Sequence, residues 1–315
     1  MNRERREFIR NIGRMALLSA GVIPFAGLFS GCKTLESVST IGAQVGAATG
    51  LLTQAQAESI EKSGKAIARS FEEFTPEQEY YIGRTIGAQI LQKYKPYSNK
   101  RATDYINLIG QSLSRFSDLP ETFGGYHFLI QDSDEINALA APGGLIFVTR
   151  GMLRCCRSED AIAAVLAHEI GHVQHRHGLQ AIKKSRITSA LTTLGIEGTK
   201  TFGGQELSEL TETFEKSISD ITKTLINNGY SRSFERQADH AAVTIIKRVG
   251  YDPYGLVDML HEMQKRLKPG RVDFVKTHPL PQSRIAEIKP IIGSAARRWI
   301  PEVRQRRFKK ALAGV

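Results

Sequence analysis

Cysteine is scarce. The 315 residues contain three, and two of them, Cys155 and Cys156, are adjacent. Neighbouring cysteines rarely bridge one another because the geometry is strained. A disulfide framework is therefore excluded, and with no second cysteine pair so is a thiolate metal site of the paired kind. Long apolar runs are also missing. No stretch reaches eighteen continuous apolar residues, the length a transmembrane helix requires. No internal repeat occurs, which excludes a solenoid or a run of helical repeats. Acid is scarce at the two ends. Seven cations face one acid, Glu302, between Arg297 and Lys310, and four arginines face two glutamates in the first ten residues. The middle of the chain is near balance, so the net charge of +11 is a property of its ends. That distribution argues against a nucleic-acid partner, whose footprint is a basic domain face. It suits a membrane-facing tail or a solvated helix end.

What is present begins with an address. Arg3, Arg5, Arg6, Arg10 and Arg14 precede a mostly apolar stretch at 15–29, interrupted by Gly21, Pro24 and Gly27. It ends in Phe29-Ser30-Gly31-Cys32. Small residues before a cysteine resemble a bacterial lipoprotein cleavage site, although that pattern prefers Leu where Phe29 stands. Arg5-Arg6-Glu7-Phe8-Ile9-Arg10 resembles a twin-arginine signal. The expectation is an export signal peptide at 1–31 and acylated Cys32 as the mature first residue. A plain secretory signal or a signal anchor is the alternative. Lys33, in the place where Asp retains some lipoproteins, resembles sorting to the outer membrane. The expected location is a periplasm-facing lipoprotein of the bacterial envelope. Residues 32–74 read as a lipid-anchored tether with a weakly amphipathic helix at 54–71, 75–293 as the folded domain, and 294–315 as a basic tail.

Within 75–293 the period is first helical. Thr75, Pro76 and Gln78 form a capping signal for a helix to about 94, and a second is expected at 102–116. The period then shortens to that of strands at 126–131 and 145–149, with a strand end and turn at 137–144. From Ser158 it is helical again, with Glu159 and Asp160 in the electropositive first turn and an apolar stripe through Ile162, Val165, Leu166, Ile170 and Val173. Residues 179–228 read as two helices around a glycine-rich stretch at 195–204. Further helices are expected at 231–249 and after Pro253. The fold class is mainly α with a small sheet.

His168-Glu169-Ile170-Gly171-His172 lies on that third helical segment. Residues four apart share a helix face, so both imidazoles can reach one metal ion while Glu169 faces a water bound to it. Catalytic zinc takes three protein ligands and keeps a position open. Glu235 and Asp239, four apart on a later helix, supply a third ligand and a carboxylate able to orient a ligand histidine. Phe234, Ala238, Ala242 and Ile245 make the adjoining face apolar, and acids bordering a core need a partner. His175 and His177 read as solvated groups or as groups behind the ligands.

Together these residues resemble the bacterial HtpX- and LoiP-type zinc metallopeptidases, relatives of the prenyl-protein peptidases. The words that carry the resemblance are Glu79-Tyr80-Tyr81-Ile82-Gly83-Arg84, Asn137-Ala138 through Pro142-Gly143-Gly144, and Phe147-Val148-Thr149-Arg150-Gly151. They continue with the His168 pentapeptide, Tyr230-Ser231-Arg232 with Glu235 and Ala238-Asp239, Gly250-Tyr251-Asp252-Pro253, and Thr277-His278-Pro279 with Arg284. They occur in family order over 75–292. The resemblance implies a gluzincin-like domain, one Zn2+ held by His168, His172 and Glu235, Glu169 as general base, and endopeptidase activity on unfolded or misassembled envelope proteins. The lipoprotein branch fits better than the membrane-spanning one. Three further roles are expected. Leu145, Ile146, Phe147, Val148 and Thr149 would form the edge strand beside the cleft, to which a substrate adds. His278 would approach the zinc, stabilising the oxyanion or filling the open position of a latent form. Arg232 or Arg284 would hold the site's carboxylates. The rival reading is a chaperone-like lipoprotein that binds misfolded or assembling membrane proteins with little turnover.

Overall fold

A computed structural model of the chain describes residues 74–182, 225–227, 229–266, 280–294 and 299–315, with 278, 297 and scattered single positions besides. The chain divides into two compact units, Met1–Arg69 and Ser70–Val315. The second holds every element considered below. The export signal, Cys32 and the glycine-rich stretch at 195–204 lie outside the described residues. The amphipathic helix expected at 54–71 is described only at Gln54 and Glu58, both helical. Among the described residues no helix is long and apolar enough to cross a membrane.

Helix α1 (Pro76–Lys93) starts at the expected capping box, in which Gln78 N donates to Thr75 Oγ1 at 3.2 Å and Thr75 N to Gln78 Oε1 at 3.0 Å. Helix α2 (Lys100–Ser114) follows, then strands β1 (His127–Gln131), β2 (Ala138–Ala141) and β3 (Leu145–Thr149). Residues 138–141 are thus a strand of their own and more than a strand end. The turn Pro142–Gly144 joins β2 to β3 with positive φ at Gly143 and Gly144, a conformation glycine adopts without strain. The same turn is why Gly83 stands in α1. A Cβ there would lie 1.9 Å from Pro142 O. Glu79 completes the contact by accepting from Gly143 N at 3.2 Å.

The sheet order is β1-β3-β2, with β1 parallel and β2 antiparallel to β3. This corrects an expectation. Leu145–Thr149 is the central strand, paired on both sides, and among the described residues β2 is the edge on the side of the site. The buried run of β3 (Ile146 to Thr149) matches a strand enclosed by neighbours.

After the short α3 (Arg150–Leu153), helix α4 (Glu159–Gln174) runs through the centre, with every residue from Glu159 to Val173 buried. The apolar stripe is therefore one part of a helix covered all round. It packs against α2, α5 (Arg232–Val249), α6 (Tyr254–Arg266) and the sheet. Helix α7 (Pro281–Ile292) lies on α5 and α6. Cys155 and Cys156 are buried thiols that donate to the carbonyls of Gly151 and Met152 one turn back.

The segment expected as a basic tail is part of this unit. Helix α8 (Glu302–Ala311) lays Phe308, Ala311 and Leu312 on the core. Its Arg307 pairs with Glu159 and its Arg304 with Asp160, at 3.0 Å. Both acids are buried at the N-terminus of α4. Tyr105 and Tyr251 also donate to Glu159, at 2.7 and 2.9 Å. Burial raises the Glu159 carboxyl, but Arg307 and the two tyrosines outweigh it and hold the group below its ordinary value. A carboxylate depressed on folding adds stability above its unfolded pKa and loses it as pH falls through the folded one. Arg307→Ala is expected to cost about 2 kcal/mol at neutral pH and to flatten the acid limb of stability against pH. Asp160, pushed up by burial, acts with the opposite sign and stays in place. Urea unfolding at about pH 7 and about pH 4 checks this; equal losses at both would refute the Glu159 assignment.

Candidate metal centre

Helices α4 and α5 approach closely because Gly171 has no side chain. A Cβ on it would lie 2.9 Å from Ala238 O and 3.0 Å from Ala238 Cα. The close crossing sets His168 and His172 against Glu235 and Asp239. Gly171→Ala adds about 1 kcal/mol of helix propensity, so local reasoning expects stabilisation. The contact with backbone decides otherwise. The variant is expected to lose about 1–3 kcal/mol and to bind metal more weakly, read by thermal unfolding and by zinc titration.

His168 Nε2 and His172 Nε2 face each other at 3.2 Å. Glu235 Oε2 lies 3.5 Å from the first and Glu235 Oε1 3.3 Å from the second. The Glu235 Oε1 atom is buried and, among the described residues, accepts no hydrogen bond. His278 Nδ1 adds a fourth contact, 2.6 Å from Glu235 Oε2. These four residues each offer a ligand atom, all within 4.8 Å of one another and all buried.

The tautomers follow from what stands behind the rings. His168 Nδ1 lies 2.9 Å from Asp239 Oδ1, an acceptor, and 3.2 Å from Arg284 Nη2, a donor; the shorter contact to the carboxylate assigns the proton to this nitrogen. His177 Nε2 lies 2.8 Å from Gln237 Oε1, and His177 Nδ1 lies 2.9 Å from His172 Nδ1. With the His177 proton on Nε2, its Nδ1 accepts, and His172 donates from Nδ1. With His168 neutral, both Nε2 atoms turn lone pairs toward the Glu235 carboxylate, and three acceptors converging in this way fit a cation. With Glu169 ionised and His168 neutral the charge agrees: among the described residues Glu169, Glu235 and Asp239 are buried with one guanidinium, Arg284, leaving two negative charges for a divalent ion to match.

Without an ion, a proton takes that place. Burial and Arg284 lower His168, but Asp239 and Glu235 outweigh them and raise it to about 9. Burial carries His172 down to about 3. The pair thus holds one positive charge, as a proton on His168, where an ion would place its own.

Arg284 is the arginine that holds a carboxylate. Its Nη2 donates to Asp239 Oδ1 at 2.6 Å and its Nε to Oδ2 at 3.0 Å. Burial raises Asp239, and Arg284 followed by His168 brings it down to about 2. Arg232, the other arginine expected there, is corrected. It is exposed at the first turn of α5, with no hydrogen bond or ion pair among the described residues. Of the nearby histidines, His177 is fully buried behind His172, and His175 is the half-buried C-cap of α4.

Glu169 is buried beside the cluster, its carboxyl raised to about 7 by burial, opposed by His168 and reinforced by Glu235. It lines a cavity of about 10 Å³ with Ala140, Tyr230 and His278, room for about one water. Tyr230 had no role in the sequence reading. Its ring stacks on His172 at 4.4 Å and its hydroxyl donates to Ala140 O at 3.2 Å, so it ties the edge strand to a ligand. Its place one residue before the cap of α5 was the available signal.

A helix carrying two histidines four apart, with a glutamate from a following helix completing the set, defines a metallopeptidase-type centre. The chain belongs to peptidase family M48, whose pattern matches residues 100–292. It is 27% identical over 213 residues to the Beta-barrel assembly-enhancing protease of Escherichia coli (strain K12), covering 67% of this chain and 42% of that one. It is 27% identical over 227 residues to the Mitochondrial metalloendopeptidase OMA1 of Schizosaccharomyces pombe, covering 70% and 58%. To the Yersinia pestis Beta-barrel assembly-enhancing protease it is 28% identical over 189 residues, 59% and 38%. The chain therefore spans less than half the length of the bacterial relatives it matches.

Proposed function

We propose that this chain is a zinc-dependent endopeptidase of the HtpX- and LoiP-type lipoprotein branch, anchored through acylated Cys32 at the periplasmic side of the envelope, on the outer membrane, and acting on unfolded or misassembled envelope proteins. The observation that carries the reading is the convergence of His168 Nε2, His172 Nε2 and Glu235 beside a buried Glu169. Bound zinc would supply a Lewis acid and bring the pKa of a coordinated water toward 7. Glu169 takes the water's proton and delivers it to the leaving amine. Asp239 and Arg284 hold His168 in its tautomer, and His177 with Gln237 does so for His172. The edge role passes from β3 to β2, whose Ala138, Leu139 and Ala140 border the cavity at Glu169. An extended chain added there through backbone bonds would be bound with little regard to its sequence. The names of the bacterial relatives support substrates among assembling β-barrel proteins.

The contact of His278 with Glu235 supports a latent form in which this histidine fills the open ligand position. A histidine in that position would also suit the second reading, a binding protein of low turnover. The test is cleavage of unfolded casein by the chain, with chelator and then with zinc restored. Loss and recovery of cleavage are expected. Cleavage indifferent to the chelator would overturn the metal mechanism.

A further inference from the structure

Trp299 is the only tryptophan in the chain and is 80% exposed, and Val303, on the first turn of α8, is 59% exposed. Nothing in the proposed chemistry uses either. The inner face of α8 is committed, through Arg304, Arg307 and Phe308, to the N-terminus of α4 and the core. The outer face carries Val303, Arg306 and Lys310, spaced by three and four residues and so aligned in one stripe. Lys309 stands beside it, exposed. The acid there is Glu302, paired with Arg306 at 3.1 Å, so Lys309 and Lys310 leave the face positive. Next to α8 lies a cleft of about 460 Å³, floored by Leu153, Phe308 and Leu312 and rimmed by Arg157, Arg266 and Lys309. Its rim is also net positive, because among the described residues one acid, Glu262, serves both Arg157 and Arg266.

A large exposed aromatic ring three residues before a helix that has a cationic outer face and is fixed to a folded domain is an arrangement suited to an interfacial contact. Tryptophan prefers the headgroup layer of a bilayer, and helices with apolar and Lys/Arg-rich faces lie in that plane. Two apolar side chains are too few for a stable protein interface, which buries on the order of 800 Å² on each partner. They suffice for reversible attachment when anionic lipid adds its attraction to each cation. We propose that the outer face of α8 rests the peptidase unit on an anionic phospholipid surface, with Trp299 and Val303 at headgroup depth and Arg306, Lys309 and Lys310 against the phosphates. This contact is separate from any anchor at Cys32 and does not depend on peptidase activity.

The single tryptophan makes the test local in the full chain, whatever the N-terminus does. The chain is reconstituted into vesicles of phosphatidylcholine alone or mixed with phosphatidylglycerol, and Trp299 emission, its quenching by acrylamide and its quenching by bromine-labelled lipid chains are read. The expected result is a blue shift, protection from acrylamide and quenching by brominated lipid in the mixed vesicles. Lys309→Gln and Lys310→Gln should each lower the ratio of lipid-contacting to free Trp299 about fivefold. Emission that stays red and open to acrylamide in mixed vesicles bearing the chain would overturn the proposal. So would equal quenching in the two kinds of vesicle, since contact would then owe nothing to anionic lipid. A blue shift caused by an added protein and by neither vesicle would also overturn it, making the face a protein-docking site.

Discussion

Arg284→Ala is expected to be about 3–5 kcal/mol less stable than the parent chain, the range for removing one partner of a buried ion pair. Arg284 and Asp239 are both almost wholly inaccessible, and the guanidinium grips the carboxylate through two bonds. Without it Asp239 is a buried acid whose one named support is the His168 ring, and its pKa must rise from about 2. The second consequence is at the metal. Asp239 holds His168 by Nδ1, and once that carboxylate is protonated or turned, His168 loses the constraint that aims Nε2 at Glu235. Such changes behind a ligand lower metal affinity about 10- to 100-fold. Arg284→Lys keeps the charge and loses the two-bonded geometry, so it should fall between parent and Ala. Denaturant unfolding gives the first effect and competition with a chelator the second. An Ala variant as stable as the parent would mean that Asp239 is not held by Arg284.

Glu169→Gln carries the other large effect, and it is one of rate. The amide has the shape of the carboxylate and cannot take a proton. Glu169 is absent from the cluster of possible ligands, so the metal should remain. General acid–base catalysis contributes roughly 10²- to 10⁴-fold, and that is the loss expected in turnover. An amide also removes one buried negative charge, so stability should stay the same or rise.

How far these residues could be read in advance depends on how local the information is. His168, His172, Glu235 and Asp239 were legible because a spacing of four is itself a statement about a helix face. The caps at Thr75 and Ser158 were legible for the same reason: each helix end is announced within three residues. Strand order was not. Leu145–Thr149 has the composition of either an edge or a centre, and the choice rests on pairing with His127–Gln131 and Ala138–Ala141, a matter of the whole unit. Arg232 lies three residues before Glu235, a spacing suited to the same face. It lost to Arg284, which arrives from α7, a helix whose packing on α5 no local pattern reveals. The basic segment misled because charge alone does not say whether a cation meets solvent or a buried acid. Arg304 and Arg307 meet Asp160 and Glu159, about 145 residues earlier in the chain. Tyr230, although part of the resemblance, was given no role because a tyrosine before a helix cap has no chemistry until Ala140 and His172 are beside it.

The central claim is that Glu169 acts on a water at a metal held by His168, His172 and Glu235. The most direct measurement compares the parent with Glu169→Gln for bound zinc and for cleavage of unfolded casein, in the same preparation. The expected result is about one zinc in each chain and cleavage in the parent alone. Cleavage undiminished in Glu169→Gln, or no zinc in either chain under saturating metal, would contradict it.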